Sequence, residues 1–237
     1  MLILKNITVK IKKKVILDNI NLRFEKNKIY VLFGPNGSGK STLANIILGH
    51  PDYRLATKSN IIFEGKSIKN LSPEKRAARG IFLSWQAPLS LSGINVVQLL
   101  QAAMSGKKDF LSLRKKIEKY ARELKIDTDL LNRSLNEGAS GGEKKKLEIL
   151  QAAILDPKLI IFDEIDTGVD VDALKLISKF ISKNKKGKTY IIITHYTRIL
   201  RQLNPNKILV IINGKIVKTG GKSLANKIEK YGYEKLS

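Results

Sequence analysis

Nine residues, Gly34-Pro35-Asn36-Gly37-Ser38-Gly39-Lys40-Ser41-Thr42, constrain this chain more than any other stretch. They fit G-x-x-x-x-G-K-[ST], and the surroundings fit too. A short buried-type strand is expected before them at Ile29 to Phe33. A helix is expected after them from Lys40 to about Leu48, ended by Gly49 and Pro51. The glycines let successive backbone N–H groups turn inward around phosphate oxygens, and the helix N-terminus adds partial positive charge. In such a loop Lys40 reaches the β- and γ-phosphates, and the Ser41 hydroxyl sits on Mg²⁺. A loop of this kind needs a sheet to present it, so an α/β fold is expected.

The rest of the chain agrees. Leu2 to Ile11, Val15 to Leu17 and Ile20 to Phe24 are short β-branched-rich segments that read as strands, as do Asn60 to Phe63 and Ile68. Ser72-Pro73 opens a short helix that Gly80 stops, and Ile81 to Trp85 is another strand. From Pro88 to about Arg133 the texture is helical, with segments at Val96 to Met104 and Phe110 to Leu124. A helix from Ser140 to Leu155 follows. Then come Leu159 to Phe162 (strand), Asp172 to Lys183 (helix), Tyr190 to Thr194 (strand), Arg198 to Gln202 (helix) and Leu209 to Ile212 (strand). Such alternation implies a parallel sheet covered by helices. A hairpin turning at Asn213-Gly214 ends the pattern.

The 237 residues can bury a sizeable core, and 43 % apolar with 27 % charged residues reads as an ordinary globular chain. Apolar runs are too short to cross a bilayer, and Asn6 with Lys10 to Lys14 breaks any secretory leader. With no cysteine, the chain has no disulfide, no thiolate metal site and no sulfur ligand for an iron–sulfur cluster. The net charge of +23 raises a nucleic-acid surface, but 35 of the 44 cations are lysines strewn along the whole chain. Base readout favours the bidentate arginine fork. A solvated surface is the better account, and no nucleic-acid partner is expected.

Two further stretches carry chemistry. Leu159 to Phe162 ends in Asp163-Glu164, and acids at a strand's carboxyl end face the crevice where open α/β sheets bind ligands. Asp163 would hold Mg²⁺ through water, and Glu164 would polarise an attacking water. Ser140-Gly141-Gly142-Glu143 makes a capping box. Two glycines in a first turn cost about 0.8–1 kcal/mol each relative to alanine. A mere cap does not need them, whereas close approach to an anion does.

Together these motifs resemble the ABC-class ATPases, with Walker A at Gly34 to Thr42, the signature at Ser140 to Glu143 and Walker B through Asp163-Glu164. Gln86, after the strand ending in Trp85, matches the family's Q-loop, and His195, after Ile191 to Thr194, its switch histidine. The resemblance implies a P-loop NTPase with a RecA-like parallel-sheet core, an N-terminal antiparallel β subdomain and an inserted α-helical subdomain. Residues 1–87 and 141–237 would form the core and 88–140 the insert, in a single domain spanning 1–237. It implies ATP and Mg²⁺ as cofactors, with Gln86 on Mg²⁺ and the attacking water, His195 on the γ-phosphate, and the Ser140 segment and Asp170 at a nucleotide shared between two copies of the chain.

Within the class, transport subunits carry LSGGQ and DEPTSALD. Here Ser140 to Lys146 and the run Asp163 to Leu174 differ. These stretches, with Thr194 to Leu200 and Gly214 to Gly220, resemble the SufC family, ATPases of the Suf iron–sulfur cluster machinery. The implied partners are Suf scaffold proteins (SufB, SufD or a SufB-like homodimer), the implied location is the cytoplasm, and no membrane insertion is expected. The alternative is the ATP-hydrolysing subunit of a membrane transporter. Many ABC ATPases stack adenine on an aromatic upstream of the phosphate loop. Here that region reads Val9 to Val15, and the first aromatic of the chain is Phe24. Weak nucleotide binding and poor discrimination of ATP from GTP are therefore expected.

Overall fold

The computed structural model describes residues 1–104 and 109–233. Residues 105–108, inside the stretch expected to be helical, and 234–237 lie outside the described residues. The chain opens with β1 (Leu2–Ile11) and β2 (Lys14–Phe24), followed by β3 (Ile29–Phe33), α1 (Lys40–Leu48), β4 (Asn60–Phe63), β5 (Lys66–Ser67), α2 (Pro73–Ala78) and β6 (Ile81–Ser84). Next come β7 (Leu91–Asn95), α3 (Val96–Ala103), α4 (Phe110–Glu123), α5 (Thr128–Asn132), β8 (Ser134–Leu135), α6 (Gly141–Leu155) and β9 (Leu159–Asp163). The last part holds α7 (Val171–Lys183), β10 (Thr189–Thr194), a 3-10 turn at Thr197–Arg201, β11 (Lys207–Ile212), β12 (Lys215–Gly220) and α8 (Lys222–Tyr231).

The central sheet runs β12-β11-β3-β10-β9-β6, parallel throughout except for the β11–β12 hairpin. Strands buried on both faces read as continuous apolar runs, and β3, β9 and β10 are buried at every position. Their residues alternate between two cores. Val31, Phe33, Ile160, Phe162 and Ile192 join the core under α3 to α8. Tyr30, Leu32, Ile161, Ile191 and Ile193 join a second core with α1 and the antiparallel sheet β2-β1-β4-β5.

Several details depart from the sequence reading. Leu91–Asn95 is a strand inside the stretch expected to be helical, and it pairs with β8. It is short and half-exposed, carries Gly93, and borrows its partner from some forty residues downstream, which no local pattern reveals. Ile68 lies just beyond β5, and a 3-10 turn replaces the helix expected at Arg198 to Gln202. The final helix α8 falls where the strand-and-turn reading placed nothing; its Leu224, Ala225 and Ile228 are buried against the core.

One charged residue holds α1 in place. Arg76, 2 % exposed, donates to the carbonyls of Ile46, Ile47, Lys69 and Leu71 at 2.8–3.0 Å. Two of these are carbonyls in the last turn of α1, where the helix's own pairing runs out, although Ile46 keeps one bond from the Gly49 N–H at 3.2 Å. Burial lowers the guanidinium to about 10, so it stays charged at neutral pH. Arg76→Leu should destabilise the fold by about 3 kcal/mol or more, because buried carbonyls lose their donors. Denaturant unfolding without nucleotide checks this, and a loss below about 1 kcal/mol, the net worth of one ordinary hydrogen bond, would mean the carbonyls find other donors.

Candidate functional site

Four loops leave the carboxyl ends of β3, β10, β9 and β6, which are neighbours in that order. They carry, in turn, the glycine-rich loop, His195, Asp163-Glu164 and Gln86. Parallel pairing therefore assembles residues that are far apart in the chain along one rim of the sheet. Gln86 Nε2 donates to Glu164 Oε2 at 2.8 Å across 78 residues of sequence. His195 Nδ1 lies 3.3 Å from Glu164 Oε1, an ion-pair distance without hydrogen-bond alignment. Glu164 itself sits at φ 55, and its N–H is held by the Ile193 carbonyl. A non-glycine residue at positive φ costs free energy that the surrounding packing must offset, and such residues cluster at functional sites.

The glycine-rich loop is braced from below. Gly214 N–H donates to the Ser38 carbonyl, and Asp18 N–H donates to the Gly214 carbonyl. A Cβ on Gly34 would stand 2.2 Å from the Ile211 carbonyl oxygen, and one on Gly39 would stand 2.7 Å from Leu17 Cδ2. Those two glycines are required by close approach; Gly39 also needs its φ of 102. At its N-terminus α1 has no side-chain cap and no acid in its first turn. Its free N–H groups remain available to an anion. Lys40, 6 % exposed, donates to the carbonyls of Gly34 and Pro35 at 2.8 and 2.9 Å. Burial pulls its pKa down, while Glu164 and Asp163 pull it back up.

Asp163 is 4 % exposed. Burial raises its pKa, the nearby Ser41 hydroxyl opposes that shift, and Glu164 adds to it. Its Oδ1 has no hydrogen-bond partner among the described residues, nor does Ser38 Oγ. A buried carboxylate oxygen left unpartnered beside a hydroxyl is a hard-oxygen set that suits Mg²⁺. The residues thus fit a phosphate chain with its metal: N–H groups and Lys40 for the phosphate, Ser41 and Asp163 for the ion.

Ser140-Gly141-Gly142-Glu143 forms the capping box in full. Glu143 Oε2 accepts from Ser140 N at 2.8 Å, and Ser140 Oγ accepts from Glu143 N at 3.3 Å. Gly141 has a local reason, since a Cβ there would stand 3.0 Å from the Gly168 carbonyl oxygen, whereas Gly142 faces open space. Asp170 caps α7 through Ala173 N–H at 2.7 Å, and that bond lowers its pKa. Pro35, Asn36, Gly37 and Thr42 complete the loop and first turn. One functional neighbour escaped sequence reasoning. Lys145, 4 % exposed on α6, pairs with Glu148 at 3.2 Å and reaches the carbonyls of Trp85 and Gln86 at 3.3 Å each. Its only signal is a lysine at an inward helical position, which looks like any other lysine in so basic a chain.

The sequence model of the ABC transporter family matches residues 17–167. The chain is 42 % identical to a Synechocystis protein named "Probable ATP-dependent transporter", over 98 % of this chain and 93 % of that one. It is 39 % identical to "Probable ATP-dependent transporter SufC" of Escherichia coli, over 98 % and 97 % of the two chains. Among solved structures, an ATP-binding cassette of an ABC transporter in its ADP conformation superposes with TM-score 0.81 at 28 % identity, covering 100 % of this chain and 96 % of that one. No helix of the described residues is long and apolar enough to cross a membrane. With a glycine-rich loop, an acid pair, a glutamine and a histidine along one sheet rim, and these relatives at nearly full length, the chain belongs to the ABC ATPases, ATP-hydrolysing cassettes of the family that includes SufC.

Proposed function

We propose that this ATPase uses Mg-ATP to change the shape of a Suf scaffold during iron–sulfur cluster assembly. The observation that carries the reading is the likeness to the Escherichia coli SufC protein over almost the whole of both chains. Two copies of the chain sandwich two nucleotides, each site combining one copy's Gly34–Thr42 loop with the other's Ser140 segment and Asp170. Open space around Gly142 supports this, because a glycine with no neighbour of its own leaves room for a partner's phosphate. In each site Glu164 orients the attacking water, His195 and Gln86 hold its surroundings, and Ser41 with Asp163 and Gln86 hold Mg²⁺, which neutralises charge on the phosphates. The chain has no cysteine, so iron and sulfur sit on the scaffold.

The scaffold docks on the face around Gln86, Pro88 and the 88–140 insert. Trp85 is 41 % exposed and Leu89 70 %, and the His50 ring lies 5.9 Å from Trp85 and 5.6 Å from Tyr53. Large apolar side chains gathered at a surface mark an interaction site. Coupling through Gln86 is reciprocal: scaffold binding changes turnover, and ATP changes the scaffold. A second reading, the ATPase subunit of a membrane transporter, draws on the word "transporter" in the relatives' names. Pull-down after co-expression with adjacent reading frames tests both; recovery of a membrane permease instead of a scaffold overturns the first.

Base contacts are poor by construction. Val15 is 44 % exposed and one residue from Ile16, whose carbonyl oxygen would meet a Cβ on Gly39 at 3.1 Å. Ile11 is 41 % exposed and pairs with Lys14, one step farther from the loop. Neither offers a π-face. Val15→Tyr should tighten ATP binding by about fivefold or more, since base–aromatic stacking is worth about 1–3 kcal/mol. Titration of the full chain with ATP and GTP checks this. A native chain that prefers ATP a hundredfold would show that other residues read the adenine.

A further inference from the structure

Asp166 has no part in the chemistry described so far, yet it is fully buried at 0 % exposure. A carboxylate is costly to remove from water unless its oxygens are engaged. Its Oδ2 accepts a hydrogen bond from Thr194 Oγ1 at 2.8 Å, across 28 residues of sequence, while its Oδ1 has no hydrogen-bond partner among the described residues. Thr194, also 0 % exposed, uses the same oxygen to accept from Tyr196 N–H at 2.9 Å. Arg198 donates from its guanidinium to the Asp166 main-chain carbonyl and lies over the Tyr196 ring, 5.1 Å from its centroid. The residue between the two anchored positions is His195, whose ring stands 3.9 Å from that of Tyr196.

We propose that Asp166 is a positioning residue for His195, and that through Thr194 it locks the strand end carrying the histidine to the turn carrying Glu164. The arrangement has three parts. Thr194 is held by its side chain, Tyr196 by its amide, and Arg198 fastens the following turn to the Asp166 backbone. His195 is thereby clamped on both sides with Nδ1 3.3 Å from Glu164 Oε1. A threonine or serine at 166 is shorter than aspartate and would withdraw the acceptor from the Thr194 hydroxyl. Burial raises the Asp166 pKa, and the Thr194 hydrogen bond, then its own backbone N–H and then the nearby Arg198 guanidinium oppose the rise. The turn running from Glu164 to Asp170 is also the one that stands against Gly141, so the lock extends from the histidine towards the Ser140 segment.

The consequence for turnover rests on the proposed role of His195 in hydrolysis, so the test reads the histidine directly as well. The chain has two histidines, His50 and His195, and a His50→Gln variant assigns their imidazole NMR signals. In Asp166→Ala the His195 signal should shift or broaden while that of His50 stays in place. Thr194→Val, which removes the hydroxyl with little change of volume, should do the same and serves if Asp166→Ala folds poorly. Asp166→Asn keeps an acceptor oxygen and should restore the native His195 signal. In the ATPase assay kcat should fall by about tenfold in Asp166→Ala with KM for ATP within about twofold, the pattern of a misplaced group rather than a lost binding contact. The Asp166→Ala, Thr194→Val double variant should be no slower than the worse single one, because both act through one contact. An unmoved His195 signal in both single variants overturns the proposal, whatever happens to turnover. A moved signal with native kcat supports the clamp and instead removes His195 from hydrolysis.

Discussion

Replacing Glu164 with glutamine will leave ATP binding in place while hydrolysis falls by about 10²-fold or more, the scale of a lost catalytic acid or base. The substitution is nearly isosteric. Its amide oxygen can still accept from Gln86 Nε2, now at 2.8 Å from Oε2, so the rim of the sheet keeps its geometry. What goes is the negative charge that would take a proton from water. On the proposed reading the phosphates are held by Lys40, tied without nucleotide to the Gly34 and Pro35 carbonyls, and by the loop rather than by Glu164, so affinity should survive. If two copies share the nucleotides, the closed dimer is no longer relieved by hydrolysis and the variant should accumulate as an ATP-bound dimer. Sizing chromatography at saturating ATP reads this out. A Glu164→Gln protein that stays monomeric there, even with its scaffold present, would count against the shared site.

Much of this rim is legible in the sequence because three of its four parts follow strands that are buried at every position. Ile29 to Phe33, Leu159 to Phe162 and Tyr190 to Thr194 are continuous apolar runs, and a change to polar residues at their ends marks the loop. Strand order is not legible. That Gln86 and His195 flank Glu164 follows from β6 and β10 lying on either side of β9, a property of the sheet rather than of any motif. The same limit hides the buried charges. Arg76, Lys145 and Asp166 read as surface residues until the backbones of distant segments close around them. Leu91–Asn95 is invisible for a related reason, since it is a strand only through Ser134–Leu135. Local pattern decides the elements whose environment is uniform, and tertiary pairing decides the rest.

Lys40→Ala should act on binding where Glu164→Gln acts on turnover. Without nucleotide the ammonium is tied to the Gly34 and Pro35 carbonyls, in a site that burial makes unfavourable for charge and that Glu164 and Asp163 make favourable again. The lysine is therefore already held inside the loop, with its cation placed before phosphate arrives, so little ordering entropy opposes the contact. Hydrogen bonds to charged groups contribute about 1.5–3 kcal/mol each, so losing this one should weaken ATP by about 10- to 150-fold. Lys40→Arg should not rescue it, because a planar fork cannot take the place of a compact ammonium in so closed a loop. Two readings separate binding from folding. Thermal unfolding without nucleotide reports how far the loop suffers from two carbonyls losing their donor. The extra stabilisation at a fixed ATP concentration, RT ln(1 + [L]/Kd), reports affinity alone and should shrink sharply in the variant. If the variant instead gains as much from ATP as the native chain, phosphate is held by backbone N–H groups and the helix terminus without help from Lys40.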